Sequence, residues 1–474
     1  MEIIGRDKER RILTRCEASN KPEFVAVYGR RRVGKTYLIV EHFANKFSFS
    51  VTGISGGNMK DELNEFHRAL MKYYQGEIPV PKDWFHAFSL LEDRIDHDPS
   101  LSKKVLFIDE LPWLDTQKSG FVSALEHFWN SFASRRPDIV LIVCGSAASW
   151  MIKNLIDNYG GLHNRVTETI VVEPYHLCEC EAFYRSRGVA YSRQQTAEAY
   201  MVLGGIPFYM DAMDRMYGLN QNIDLLLFEK NAKLEGEFNR LYHSLFRNAG
   251  NHIHIVEILA GNNGGMTRQE ISAVSGISDG GGLTKTLIEL ESCGLISRNY
   301  DIRKKRNGDY FKLIDFYSLF YFKYLKHRRD NDPHYWTNYL SDPAHRAWCG
   351  YAFERLCMAH ISQIKQRLGI SGVITEVYAF RSLQRKDGAQ IDLVIDRKDD
   401  TINLCECKYT NKPYAISEND AKDLEHKRDV FIKETGTKKS IHMTMITANG
   451  LVNNAHRNGI QSEIILDDLF QPTL

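Results

Sequence analysis

At 474 residues the chain exceeds what one hydrophobic core organises, so about three domains are expected. A content of 43% apolar and 26% charged residues excludes a disordered or fibrous chain. A formal net charge of +1 excludes a uniformly basic polyanion binder, so any nucleic-acid surface has to be local.

Nine cysteines include no C-x-x-C pair, and Cys178/Cys180 and Cys405/Cys407 lack a second pair at zinc-finger spacing, which favours reduced, buried thiols. The stretch from Arg6 to Arg11 is charged, with no apolar h-region, and no apolar run reaches the ~18 residues of a membrane span. A cytoplasmic protein with no membrane role is expected.

Residues 1–173 read as alternating strands and helices. An apolar run over 24–28 enters Gly-x-x-x-x-Gly-Lys-Thr, running Gly29, Arg30, Arg31, Arg32, Val33, Gly34, Lys35, Thr36, and a helical pattern with Tyr37, Leu38, Val40, Glu41 and Phe43 follows. Strand, glycine-bearing loop and helix in this order cradle phosphate: the glycines let backbone N–H groups converge, and the helix dipole adds its positive end. A nucleoside triphosphate, ATP, is therefore expected, with Lys35 on the β- and γ-phosphates and the Thr36 hydroxyl in the Mg²⁺ shell.

A strand over 47–51, a helix carrying Met59, Leu63, Phe66, Leu70 and Tyr73, and a helix over 84–95 come next, before Asp98-Pro99 breaks the pattern. The apolar run over 105–108 ends in Asp109-Glu110, a Walker B stretch: Asp109 for the Mg²⁺ hydration shell, Glu110 for the attacking water. The strand over 139–144 runs into Gly145-Ser146, where Ser146 is either a γ-phosphate sensor or a turn residue. Arg165, ahead of a β-rich run over 167–172, either meets the transferring phosphoryl group, in cis or across a subunit interface, or makes a surface salt bridge.

Residues 174–247 read as a helical lid, with helices over 178–187, 193–203 and 223–247 and a break at Gly204-Gly205-Ile206-Pro207. In 248–330, helices over 253–260, 267–275 and 283–293, the last with Leu283, Leu287, Ile288 and Leu290 facing inward, precede a hairpin of 295–300 and 310–314 around Arg303-Lys304-Lys305-Arg306-Asn307-Gly308. This is winged-helix order. The basic tip suits phosphate contacts, whereas the second helix of the pair offers Lys285 alone, so DNA binding and a packing role both stay open. The aromatic stripe over 316–325 is read as core.

Residues 331–474 carry a second constellation. A helix opening at Gly350 presents Glu354 among Phe353, Leu356, Cys357, Ile361 and Ile364; strands over 373–380, 389–395 and 402–409 follow. Strand period puts Glu406 and Lys408 on one face, and a turn centred near Asp399 sets Asp392 opposite Glu406. Carboxylates inside otherwise apolar strands are costly to bury unpaired, which favours a divalent-cation site: the metal polarises a phosphoryl oxygen, Lys408 helps orient the nucleophile, and Glu354 supplies an outer carboxylate.

Tyr28 to Thr36, Phe107 to Glu110, Cys144-Gly145-Ser146 and the stretch from Arg165 to Pro174 together resemble an ATPase family abundant in archaea and grouped near the STAND NTPases. Glu354, Asp392 and Glu406-Cys407-Lys408 resemble the PD-(D/E)xK nuclease superfamily, although Ile391 stands where that motif has Pro. The resemblance implies an α/β protein: a P-loop NTPase parallel sheet with helical lid, a winged-helix domain, and a C-terminal α/β restriction-endonuclease-like domain. It implies nucleotide roles for Gly34, Lys35, Thr36, Asp109 and Glu110, and metal or catalytic roles for Glu354, Asp392, Glu406 and Lys408.

Three readings follow. One is an ATPase whose nucleotide state controls a DNA endonuclease using Mg²⁺, or Mn²⁺ at the second site. Another is a regulatory switch or scaffold whose C-terminal fold binds nucleic acid or protein without cutting, with room for a homo-oligomer or a protein partner. A winged-helix transcription regulator is the third.

Overall fold

Unbroken runs of β-branched and apolar residues become strands buried on both faces, and they organise the first half of the chain. In a computed structural model, residues 3–98, 103–157, 161–162, 164–246, 248–300, 309–328, 332–382 and 387–472 are described. The chain divides into two units: Met1–Pro174 with Arg240–Ala249 and Ile288–Gly294, and Tyr175–Asn239 with Gly250–Leu287 and Leu295–Leu474.

The first unit runs α1 (Asp7–Ala18), β1 (Glu23–Tyr28), α2 (Lys35–His42), β2 (Phe49–Thr52), α3 (Met59–Tyr73), α4 (Trp84–Asp96), β3 (Lys104–Asp109), α5 (Leu111–Leu114), α6 (Phe121–Ser131), β4 (Ile139–Gly145), α7 (Ala148–Met151) and β5 (Glu168–Val171). Its strands form one parallel sheet in the order β2-β3-β4-β1-β5. β3 and β4 are buried throughout, as a parallel sheet covered on both faces requires. Phe24, Leu106 and Leu141 from the strands share a core with Phe66, Trp84, Phe88 and Phe128 from the helices. The Asn58 side chain caps α3, accepting from the Lys60 and Asp61 N–H groups at 2.9 and 3.2 Å.

The remaining elements begin with α8 (Leu177–Ser186), α9 (Arg193–Leu203), α10 (Pro207–Met210), α11 (Leu219–Leu227) and α12 (Glu237–Leu245). The single helix expected over 223–247 is thus two. Asn231 and Gly236 take left-handed backbone (φ 60° and 68°), which an α-helix does not tolerate. Then come α13 (Gly250–Ala260), β6 (Met266–Thr267), α14 (Arg268–Ser275), α15 (Gly281–Ser292), β7 (Ile296–Tyr300) and β8 (Asp309–Leu313), with an antiparallel sheet ordered β6-β8-β7. Leu283, Leu287 and Leu290 are buried, but Ile288 is 51% exposed: it lies one residue beyond Leu287, off the stripe those leucines define. The basic stretch 303–308 lies outside the described residues.

α16 (Phe316–Phe320) passes into a wider turn closed by Lys326 N–H on the Tyr321 carbonyl at 2.9 Å, and Phe320 and Tyr324 pack on Trp336 and Trp348 as core. α17 (Tyr335–Tyr339), α18 (Pro343–Ala359) and α19 (Ile361–Arg367) follow. α18 opens ahead of Gly350 because Asp342 caps it, accepting from Ala344 N–H at 2.6 Å, with Pro343 in its first turn.

A second five-stranded sheet completes the chain: β9 (Thr375–Arg381), β10 (Gln390–Arg397), β11 (Thr401–Lys408), α20 (Glu418–Thr435), β12 (Ser440–Thr447) and β13 (Ser462–Ile465), ordered β13-β12-β11-β10-β9. β9, β10 and β11 are antiparallel neighbours, whereas β11, β12 and β13 run parallel, with α20 as the crossover from β11 to β12.

His360, at the end of α18, is fully buried. Its Nε2 accepts the Leu177 N–H at 3.0 Å and its Nδ1 donates to the Leu356 carbonyl at 2.8 Å, so the first turn of α8 depends on a neutral imidazole. Burial, aided by His176, pulls its pKa from 6.5 to about 3. The unfolded chain then binds the extra proton between those values, so stability is full above pH 6.5 and falls as pH drops through this window. His360→Leu is expected to lower stability at pH 7.5 by about 1–3 kcal/mol in urea unfolding and to flatten the pH dependence below 6.5.

Candidate functional sites

Register brings the first site together. Tyr28 of β1 pairs with Gly145 of β4, and Ile108 of β3 pairs with Val143, so Gly29, Asp109, Glu110 and Ser146 all lie at the carboxyl ends of adjacent strands. Gly29 has φ 146°, and a Cβ there would stand 2.2 Å from the Val172 carbonyl oxygen; Gly34, with φ 91°, starts α2. Arg32 also takes positive φ, 70°. Arg6, which no motif singles out, braces the loop by donating to the Val33 carbonyl at 3.1 Å.

Inside the loop the Lys35 ammonium donates to the Gly29 and Arg30 carbonyls at 3.1 and 2.9 Å and to Ser146 Oγ at 3.0 Å. Ser146 Oγ in turn donates to Glu110 Oε1 at 2.8 Å, and the Ser146 N–H meets Oε2 at 3.3 Å. Thr36 Oγ1 donates to Asp109 Oδ2 at 2.9 Å. Burial first, then the Glu110 charge, push the Asp109 carboxyl upward. A hydroxyl and a carboxylate in contact beside a phosphate-binding loop suit Mg²⁺, which takes hard oxygen ligands and keeps several waters. Glu110 itself sits in left-handed backbone at φ 47°, an unusual state for this residue type. Arg30 is buried, whereas the Arg31 guanidinium reaches the Arg240 carbonyl at 3.5 Å. Arg165 is exposed ahead of β5, outside the Lys35–Ser146–Glu110 network.

In the second unit, Leu393 pairs with Cys405 and Asp396 with Ile402, a register centred on Asp399 that sets Asp392 across from Glu406. Asp392 Oδ2 accepts the Cys407 N–H at 2.9 Å. Glu406 is 5% exposed, and two lysines hold it: Lys408 at 2.9 Å and Lys427 of α20 at 2.8 and 2.9 Å. Lys427 escaped the sequence reading. Its only local sign is the i,i+4 spacing to Asp423, whose carboxylate lies 3.1 Å away.

The charges of Asp392 and Glu406 act on Glu354, and that of Glu406 acts on Asp392. Burial, then Asp392, raise Glu354 well above the usual carboxylate range, and burial, then Glu406, raise Asp392. Lys408 and Lys427 would be lowered by burial, but Glu406 more than offsets it and both are raised. Among the described residues no three His, Cys, Asp or Glu side chains form a group that could hold a metal ion by themselves. Mg²⁺ commonly takes one or two carboxylates and completes its shell with water, so Asp392 and Glu406 meet its minimum.

Residues 4–213 match an ATPase domain family found predominantly in archaea. The chain is 25% identical over 328 residues to the uncharacterized protein MJECL04 of Methanocaldococcus jannaschii, spanning 68% of this chain and 69% of that protein. Among solved structures it is similar to the Walker-type ATPase PABY2304 of Pyrococcus abyssi (17% identity, 68% of this chain and 96% of that one, TM-score 0.48). It is also similar to the Aeropyrum pernix ORC2 protein in its ADPNP–ADP complexes (14% identity, 68% and 93%, TM-score 0.39). The domain match, together with the phosphate-loop geometry, makes this an ATPase-domain protein built on a P-loop parallel sheet. Among the described residues no helix is long and apolar enough to cross a membrane.

Gly29→Ala is expected to lower the thermal midpoint by several degrees, because the added Cβ meets backbone that cannot step aside. Differential scanning calorimetry of the purified variant checks this.

Proposed function

We propose that this ATPase-domain protein uses ATP binding and hydrolysis to control a metal-dependent DNA endonuclease in its C-terminal 331–474 segment. The observation that carries the reading is the convergence of half-buried Asp392, Glu354 and Lys408 on buried Glu406 across β10, β11 and α18. After burial, Asp392 and Glu406 raise Glu354, and Glu406 raises Asp392, a repulsion that a divalent cation would relieve. The order from α18 to β12, two helices, three strands, a helix and a strand, also suits a PD-(D/E)xK nuclease fold.

At the nucleotide site, Lys35 exchanges the loop carbonyls for the β- and γ-phosphates, Glu110 orients water, and Ser146 reports the γ-phosphate to Glu110. Mg²⁺ held through Thr36 and Asp109 would neutralise phosphate charge. Arg165, exposed as it is, serves a neighbouring copy in a homo-oligomer. At the second site Asp392 and Glu406 would hold Mg²⁺ or Mn²⁺, which would polarise the phosphodiester and lower the pKa of bound water. Lys408 orients the nucleophile there, and Glu354 contributes an outer carboxylate. The segment 248–330 acts as a winged helix, and 174–247 as a lid.

A second reading, a switch or scaffold that binds nucleic acid or protein without cutting, is favoured by the hold of both Lys408 and Lys427 on Glu406. Incubating the full chain with linear, circular and branched DNA, with Mg²⁺ or Mn²⁺, separates the two. Cleavage is expected, and is expected to vanish in Asp392→Ala and Glu406→Ala. Cleavage that persists in both variants would rule out the assigned site. For the nucleotide site, Glu110→Gln is expected to retain ATP in equilibrium binding while hydrolysis falls at least ~100-fold in a phosphate-release assay.

A further inference from the structure

One short turn, Asn263-Gly264-Gly265, gathers three cationic side chains from three elements. Arg355 of α18 donates from Nη2 to Asn263 Oδ1 at 3.2 Å. A Cβ on Gly264 would lie 2.8 Å from Nη1 of Arg381 at the end of β9, and one on Gly265 would lie 2.7 Å from Cγ of Lys312 on β8. Gly265 also needs its φ of 80°, so neither glycine position admits a side chain, and the cations fill that space.

Hydrogen bonds hold these elements in place. The Tyr310 hydroxyl donates to the Ala379 carbonyl at 3.1 Å, tying β8 to β9, and Arg355 Nε donates to the Leu313 carbonyl at 3.4 Å, tying α18 to β8. The Lys312 ammonium lies 5.8 Å from the Tyr310 ring centroid.

Arg355, Glu354, Asp392 and Arg381 are the charged groups that act most on Lys312. Burial, then Arg355, lower its pKa, and Arg381 adds to the lowering; Glu354 and Asp392 work against it without restoring the ordinary value. An ammonium drawn out of water beside two guanidiniums is stabilised by an anion, and guanidinium pairs match the geometry of phosphate oxygens.

We propose that Lys312, Arg355 and Arg381 form a phosphate subsite that holds the backbone of a nucleic acid beside Glu354 and Asp392. The proposal rests on the nucleic-acid reading above and deepens it, because the β-hairpin then completes the C-terminal site. It commits to a polynucleotide phosphodiester rather than a free nucleotide.

Fluorescence anisotropy of a labelled DNA duplex with the full chain, in EDTA and without ATP, tests this apart from cleavage. Lys312→Gln is expected to weaken binding several-fold at every sequence and to reduce the slope of log affinity against log salt by about 1, with Lys312→Arg close to wild type. A circular-dichroism spectrum and thermal midpoint matching wild type show that Lys312→Gln is folded. Unchanged affinity and slope in Lys312→Gln overturn the subsite, as does displacement of the duplex from Lys35→Ala protein by ATP at equal phosphate concentration. Weakened binding in Lys312→Gln without any nicking by wild type in Mg²⁺ sustains the subsite and removes the cutting reading. Nicking with unchanged Lys312→Gln binding does the reverse, and a wild-type chain that does not bind the duplex overturns both.

Discussion

The alignment of β1, β3 and β4 at their carboxyl ends is the constraint on which the nucleotide site depends. Parallel strands end together only if their register holds, and here the pairing of Tyr28 with Gly145 sets Lys35 within reach of Ser146. Ser146 then links the loop lysine to Glu110, so the ammonium and the carboxylate share one hydroxyl. A shift of one strand by a residue would turn the side chains of that strand to the other face of the sheet. The close approach of Gly29 to Val172 ties the loop to β5 as well, making its conformation a property of the sheet rather than of the loop alone.

Electrostatics organise the second site. Glu354 and Asp392, each pushed upward by burial first and then by a neighbouring carboxylate, sit near Glu406 and the two lysines that hold it, with Lys312, Arg355 and Arg381 on the flank. The mixture is poorly balanced, because the lysines that hold Glu406 leave the Asp392 charge acting on Glu354. A cation near the acids and a phosphate near the bases would each relieve part of it, and a phosphodiester with its metal supplies both.

Legibility in the sequence tracked how local the governing physics is. The phosphate loop is contiguous, so Gly29 to Thr36 could be read directly, and the apolar run before Asp109 announced a buried strand. The facing of Asp392 and Glu406 was also accessible, because strand period and a turn centred on Asp399 depend on few residues. Lys427 and Lys312 were not legible: each reaches the carboxylates from an element placed by tertiary packing, with no spacing rule to connect them. The division of 223–247 into two helices also escaped, since Asn231 and Gly236 break it through backbone conformations that apolar periodicity does not report. Ile288 was misplaced for a narrower reason: a second apolar residue directly after Leu287 cannot share its face of a helix.

The central claim is that the ATP site governs the carboxylate site. Its most direct test is the nicking rate of supercoiled circular DNA by the full chain, with and without ATP, for wild type and Lys35→Ala at matched Mg²⁺. The account predicts a rate that changes with ATP in wild type and becomes indifferent to ATP in Lys35→Ala. A rate that ignores ATP in wild type, or that responds to it equally in both proteins, would contradict it.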